Sequence, residues 1–413
     1  MTAADTPVAP WPRGLVGGLA LVALVGGVFF LRGVAGAEPL RAWQIYLVNY
    51  LFWSGLAVAG VVLVGIWHVT NSIWGKVFQG VALAGVSFFP AIAVLFVPLI
   101  VAGGKLFPWV EHSPEHRAVW MRPAFVFARD GLGLLALLML AGVVAFYRLR
   151  PFAGARWEQQ GGRGVPPAYL RGWQGMDAEQ ARSNRILTRL APVLFIVYAL
   201  VFSLLAFDLV QPLDPHWYST LLGGYFFFGA VYAGLAWLGV LSVFFFRRGP
   251  ERAALASSYL HPIGKLLFGF CMFHGMLFFS QYLPIWYGNL PHEIEFVIVR
   301  SYQEPGLPPW PWISLAFLLT SLLLPFCILL SRSVKTNPAL LAGAAGVILV
   351  GMWLDRYLLV VPSLWRQPNL PLGLLEVAVT AGFAALVLLC YWAFSRVFPL
   401  LHYDPAHLPT YHH

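Results

Sequence analysis

Residues 43–67 read Trp43-Gln-Ile-Tyr-Leu-Val-Asn-Tyr-Leu-Phe-Trp-Ser-Gly-Leu-Ala-Val-Ala-Gly-Val-Val-Leu-Val-Gly-Ile-Trp67, without one Asp, Glu, Lys or Arg. A helix needs roughly 20 apolar residues to cross the hydrocarbon core of a bilayer, whereas a barrel strand needs about 10. This run is a membrane-spanning helix by that measure. Working outward, similar runs occupy 14–31, 77–101, 124–147, 190–212, 219–246, 263–285, 311–330, 338–361 and 371–398. Only helices satisfy every backbone group within one segment in lipid, so Gly and Pro inside these runs do not argue against helix. Pro90, Pro98 and Pro325 are expected to kink theirs. The expected fold is an all-α integral membrane protein of about ten transmembrane helices, occupying residues 1–413 as one polytopic domain.

Composition agrees. Of 413 residues, 59% are hydrophobic and only 10% charged, against about 25% charged in ordinary soluble domains. Such a chain cannot cover a soluble surface, and it is too apolar for disorder. The formal charge of +9 does not imply nucleic acid, because the arginines fall in membrane-flanking segments. Cys271, Cys327 and Cys390 stand apart inside apolar runs, as small core residues do. No Cys-x-x-Cys-His for haem c and no cysteine cluster for iron–sulfur or zinc is present. His412 and His413 are too few for a metal site, and residues 1–13 lack a cleavage signal, so the first span is expected to be retained.

Lys and Arg set the orientation. With the N-terminus inside, Arg13, Lys76, the arginines of 148–189, Arg247, Arg248, Arg252, Lys265, Arg332, Lys335 and Arg396 face the cytoplasm. The outer side receives the smaller share, so both termini are expected in the cytoplasm. Segment 148–189 is the long basic cytoplasmic loop. Its first part, 151–167, is expected to be irregular, and its second, from Asp177 to Arg189, to be an interfacial helix. Gly161-Gly-Arg-Gly164 is no phosphate loop, lacking the Gly-Lys-Ser/Thr end and a preceding strand. Segments 102–123 and 286–310 read as outer loops facing a partner or the interface. Tryptophans at span ends form an aromatic belt.

Ionisable groups within spans are costly and hence functional candidates. Counting along each helix places Arg129, Asp130, Asp208, Asp355, Arg356 and Glu376 in one outer layer. Such a layer suits a proton entry or exit path. The plainer reading is that Arg129–Asp130 and Asp355–Arg356 are structural pairs. Asp208 and Glu376 stand out because neither has an arginine beside it in sequence. His274 lies at mid-span, where imidazole can pass a proton, bond a quinone carbonyl or simply pack against a backbone carbonyl. Bis-histidine haem b is disfavoured, since His68 and His261 lie near the inner surface. His261 and Lys265 share one face of the seventh span's start; Lys265 receives cytoplasmic protons or snorkels.

Two segments are more specific. Ser203-Leu-Leu-Ala-Phe-Asp208-Leu-Val-Gln-Pro-Leu-Asp214-Pro-His216-Trp217-Tyr218-Ser219-Thr220 joins the fifth and sixth spans. His261-Pro-Ile-Gly-Lys265-Leu-Leu-Phe-Gly-Phe-Cys-Met-Phe-His274, continuing through Gln281-Tyr-Leu-Pro-Ile-Trp286-Tyr-Gly-Asn289-Leu-Pro, forms the seventh. Together they resemble the NrfD/polysulfide-reductase-like membrane subunits of bacterial alternative complex III, the quinol:cytochrome c oxidoreductase. The resemblance runs from the second span to the tenth. It implies two four-helix bundles plus extra helices, in the bacterial cytoplasmic membrane, with no covalently bound cofactor. It further implies a homologous sister subunit, an iron–sulfur subunit, a multihaem cytochrome c subunit and small membrane subunits as partners. Haem c and iron–sulfur clusters would then reside on those partners, and quinone or quinol is the ligand this chain could contact. Asp208, Lys265 and His274 fall within the matching segments.

The leading expectation is a subunit through which protons move, by way of Glu376, Asp355 and Asp208 outside, His274 at mid-membrane, and Lys265 or His261 inside. A stand-alone proton- or ion-coupled transporter and a purely structural anchor are the rival readings.

Overall fold

The computed structural model describes residues 11–111, 119–161, 165–246, 257–303, 305–398 and 400. The first ten residues, residues 162–164 of the Gly161–Gly164 stretch, the arginines 247, 248 and 252, and His412 and His413 lie outside the described residues. The structure is 85% helix, with no strand among the described residues. Ten of its helices or helical runs are long and apolar enough to cross a membrane.

The helices are α1 (Arg13–Ala35), α2 (Pro39–Val69), α3 (Ile73–Leu83), α4 (Phe89–Ala102), α5 (Pro123–Gln159), α6 (Met176–Leu209), α7 (Leu222–Phe246), α8 (Ser257–Gly288), α9 (Pro291–Ser301), α10 (Trp310–Leu318), α11 (Leu324–Leu330), α12 (Arg332–Thr336), α13 (Pro338–Leu364) and α14 (Leu374–Val397). The run 43–67 lies within α2, and its most apolar window is wholly buried. It touches α3, α5, α6, α7, α13 and α14, so it is the axis of the molecule rather than a lipid-facing span. Its polar Asn49 is tolerated because the amide donates to Ile45 O and Thr380 Oγ1, and accepts from Trp353 Nε1 at 3.2 Å.

Segment 148–189 is not a long loop. α5 continues to Gln159 and α6 begins at Met176, so the expected irregular stretch is largely helical and the expected interfacial helix is the start of α6. The cause is Arg150, which binds Glu179 through Nε at 2.8 Å and Nη2 at 3.2 Å. It also holds Arg171 O and Tyr169 O. A buried guanidinium with one carboxylate and two carbonyl partners ties both helical extensions together. Segment 286–310 likewise contains α9, which packs on α8, α10 and α13.

Three helical prolines shape the spans in the same way. A helical proline leaves the carbonyl four residues earlier without its donor. Pro325 frees Ser321 O, the chain widens into a π-helical segment at Leu319–Leu323, and Tyr232 Oη donates to that oxygen at 3.2 Å. Pro151 frees Tyr147 O, which Ser183 Oγ takes at 2.7 Å. Pro362 frees Leu358 O, which Arg300 Nε takes at 2.9 Å. Each interruption thus becomes a tertiary contact. The third span is broken outright, with a 3₁₀ stretch at Ala84–Phe88 between α3 and α4.

α1 is the outlier. Little of its spanning window is buried, and Gly26 is its only buried residue. A Cβ on Gly26 would lie 2.7 Å from Ala378 O and Gly382 Cα on α14. Small residues permit such backbone approach in membranes. Gly26→Leu is therefore expected to detach α1 while α2–α14 stay folded. Proteolysis at the 36–38 connection, with unchanged melting of the rest, would show it; undiminished protection would contradict the contact's role.

Candidate functional site

The six charged residues expected in one layer divide into three clusters. In the first, Arg129 and Asp130 sit on α5 and Asp208 on α6. Arg129 Nη2 donates to Asp208 Oδ2 at 2.5 Å, while its Nε stands 3.9 Å from Asp130 Oδ1. The sequence neighbours Arg129 and Asp130 are thus not the main pair, and Asp208, with no arginine beside it in sequence, has one from another helix. Neither carboxyl oxygen of Asp130 has a hydrogen-bond partner. Both acids are buried, and Arg129 lies 3.8 Å beneath the Trp120 ring. Two carboxyl groups therefore share one guanidinium.

The second cluster joins α7, α8 and α13. Asp355 Oδ1 accepts a hydrogen bond from Tyr225 Oη, and Oδ2 accepts one from Arg356 Nη1 at 2.9 Å. Arg356 Nη2 donates to Phe226 O at 2.8 Å. Tyr225 stacks on the His274 imidazole, with centroids 4.5 Å apart and planes inclined by 22°. Neither ring nitrogen of His274 has a protein partner, although the residue is 2% exposed. The reading of a histidine satisfied by a backbone carbonyl is thereby corrected. Gly229 makes room here: a Cβ would meet Arg356 Nη2 at 3.0 Å, Met352 Cε at 3.1 Å and His274 Cε1 at 3.3 Å.

Glu376 belongs to a third arrangement. Arg41 Nε and Nη2 bind its two oxygens at 2.5 and 2.8 Å, and Gly373 N–H donates to it at 2.6 Å, capping α14. Each Glu376 oxygen is engaged, so this carboxylate clamps α14 to α2. At the far end of α8, Lys265 is exposed and His261 lies near Lys265, Lys335 and Arg332. From Lys265 to His274 the helix rises roughly 14 Å. Between Lys265 and Cys271, α8 offers only Leu266, Leu267, Phe268, Gly269 and Phe270. The structure does not bring Lys265 or His261 to His274.

Two adjoining cavities reach the first two clusters. One, of about 860 Å³, is lined by Trp120, Asp208, Asp214, Trp217 and Gln281. The other, of about 340 Å³ and mostly apolar, touches Tyr225, Arg300 and Asp355. Trp217, Gln281 and Ile285 line both. Trp217 is fixed by stacking on Phe296 at 3.8 Å, and Arg300 covers that ring at 3.4 Å. Burial pushes Arg300 down to about 9, against the opposing pull of Asp214.

Tyr225, Arg41 and Gly229 were not singled out by the sequence reading. Tyr225 is neutral, Arg41 lies just before an apolar run, and Gly229 is one glycine of 40. The chain matches no protein-family model, and no curated protein matches it significantly.

Proposed function

We propose that this chain is a membrane subunit of a bacterial quinol:cytochrome c oxidoreductase of the alternative complex III kind, in the cytoplasmic membrane. In this reading it has the two-bundle NrfD-like arrangement with both termini cytoplasmic, and it is the second such subunit of its complex. It anchors iron–sulfur and multihaem partners that hold the redox centres, and it carries protons through its interior. Its resemblance segments support the family, and the buried carboxyl clusters support the proton role.

The observation that carries the proton reading is Asp208 on the wall of the 860 Å³ cavity, paired with Arg129, whose guanidinium also stands 3.9 Å from the buried Asp130 carboxyl. Two buried carboxylates beside one guanidinium leave a net negative charge, and uncompensated buried charge is expensive. One proton taken up by the cluster makes it neutral. Losing it to the cavity and regaining it is a proton-transfer step that Arg129 limits to one proton. The second cluster offers a parallel path from the smaller cavity, through the Asp355 carboxyl and the Tyr225 hydroxyl. His274, with both nitrogens free, stands beside Tyr225 as the next group that can take or give a proton. Glu376 and Arg41 belong to the frame.

Asp208→Asn and His274→Leu in the purified complex, reconstituted in vesicles, are expected to lower the protons moved per electron while quinol oxidation continues. Unchanged stoichiometry in both variants would overturn the proposal. Ion uptake by the chain alone in liposomes would favour the stand-alone transporter instead.

A further inference from the structure

At the opposite, arginine-rich end of the same helices lies a cavity of about 510 Å³, formed by α2, α3, α5 and α6. It shares no lining residue with the two cavities at the carboxyl clusters. His68, Lys76 and Arg148 line it, and none of its lining residues is Asp or Glu. Arg148 Nε donates to Gln79 Oε1 at 2.6 Å, which fixes the plane of the guanidinium. Among the described residues neither Arg148 nor Lys76 enters an ion pair. His68 is within electrostatic reach of both.

The local hydrogen bonds add a further donor. Thr188 Oγ1 gives its proton to Asn184 O at 2.8 Å, so in the 3.2 Å contact between His68 and Thr188 the imidazole Nε2–H must donate. Ser72 caps α3, and the cavity touches Ser72, Gly75 and Lys76 in that helix's first turn. The positive end of the helix dipole there favours an anion. Asn71, Gln180 and Asn184 add neutral polar groups, Val64, Trp67, Phe152 and Pro192 form an apolar part of the wall, and Val69 at the rim is exposed.

Cationic groups gathered without a carboxylate repel one another, and a guanidinium held in plane by one bond still presents its amino groups as a fork for an oxyanion. The apolar part of the wall, Val64, Trp67, Phe152 and Pro192, suits hydrocarbon beside the polar end. We propose that this cavity binds a phosphate group, supplied by an acidic phospholipid whose acyl chains lie along that apolar part. The lipid would then be held at the seam between α3 and the α5–α6 extensions that Arg150 organises. This site uses none of the carboxyl clusters, so it stands or falls apart from the proton proposal.

The test is lipid retention by the full-length protein, delipidated in detergent and offered phosphatidylglycerol, phosphatidylcholine or inorganic phosphate. Native mass spectrometry and thermal shift are the readouts. Phosphatidylglycerol is expected to be retained in preference to phosphatidylcholine. Arg148→Gln and Lys76→Gln should each weaken that retention about fivefold, the size expected for one cation near an anionic lipid. Lys76 is exposed, so its variant remains informative even where Arg148→Gln fails to fold. Equal retention of both lipids, or undiminished phosphatidylglycerol binding by the variants, would overturn the site. Stabilisation by inorganic phosphate equal to that by phosphatidylglycerol, and lost in the variants, would overturn the lipid source while supporting phosphate recognition.

Discussion

Arg129→Gln should be among the most damaging single substitutions in the molecule, and Asp208→Asn in the same chain should restore most of the loss. Removing Arg129 leaves Asp130 and Asp208 facing each other, both buried, with no positive charge against them. Breaking a buried ion pair by deleting one partner costs about 3–5 kcal/mol, and loss of the contact with Trp120 adds about 1 kcal/mol. Asp208→Asn alone should be mild, because it leaves Arg129 with one remaining carboxylate, Asp130. In the double variant one carboxyl stays, beside a neutral amide able to donate a hydrogen bond to it. Chemical or thermal unfolding of the four proteins in one detergent gives the coupling directly. A mild Arg129→Gln that Asp208→Asn does not rescue would mean that Arg129 is not the group balancing this pair.

That pairing marks the boundary of what a sequence can say about such a chain. Span positions were readable because the bilayer demands length and apolarity, and both are local properties. The rotation of one helix against another was not, because it comes from packing that hydropathy does not encode. Asp208 and Glu376 therefore looked unaccompanied, while Arg129 and Arg41 reach them from α5 and α2. The same limit hid the cap at the arginine-rich end: Arg150 and Glu179 have unremarkable neighbours, and only their meeting makes helix of the segment expected to be loop. Prolines gave half of their meaning. They announced the interruptions, but Tyr232, Ser183 and Arg300, which take the freed carbonyls, come from other elements. Tyr225 left no trace because a tyrosine within a span costs little and draws no attention.

The Asp355–Arg356 pair allows fold and function to be separated. Asp355→Asn alone should cost about 3–5 kcal/mol, since it leaves Arg356 charged and buried with only neutral partners, the new amide and the Phe226 carbonyl and ring. Replacing both groups, as Asp355→Leu with Arg356→Met, should return stability to near the parent value, because a buried pair exchanged for apolar side chains of similar volume is often neutral or better. Tyr225→Phe removes one hydrogen bond to Asp355 and should cost roughly 1–3 kcal/mol. These variants predict different things for the two roles. If the cluster only holds α13 against α7, the apolar double variant recovers both folding and protons moved per electron. If it carries protons, the double variant recovers folding alone, and Tyr225→Phe lowers proton movement while the protein stays folded. The two roles part at Tyr225, whose hydroxyl donates to Asp355 while its ring stacks on the His274 imidazole: a structural pair uses only that hydrogen bond, whereas a transfer path would run on from the acid through the hydroxyl to the base.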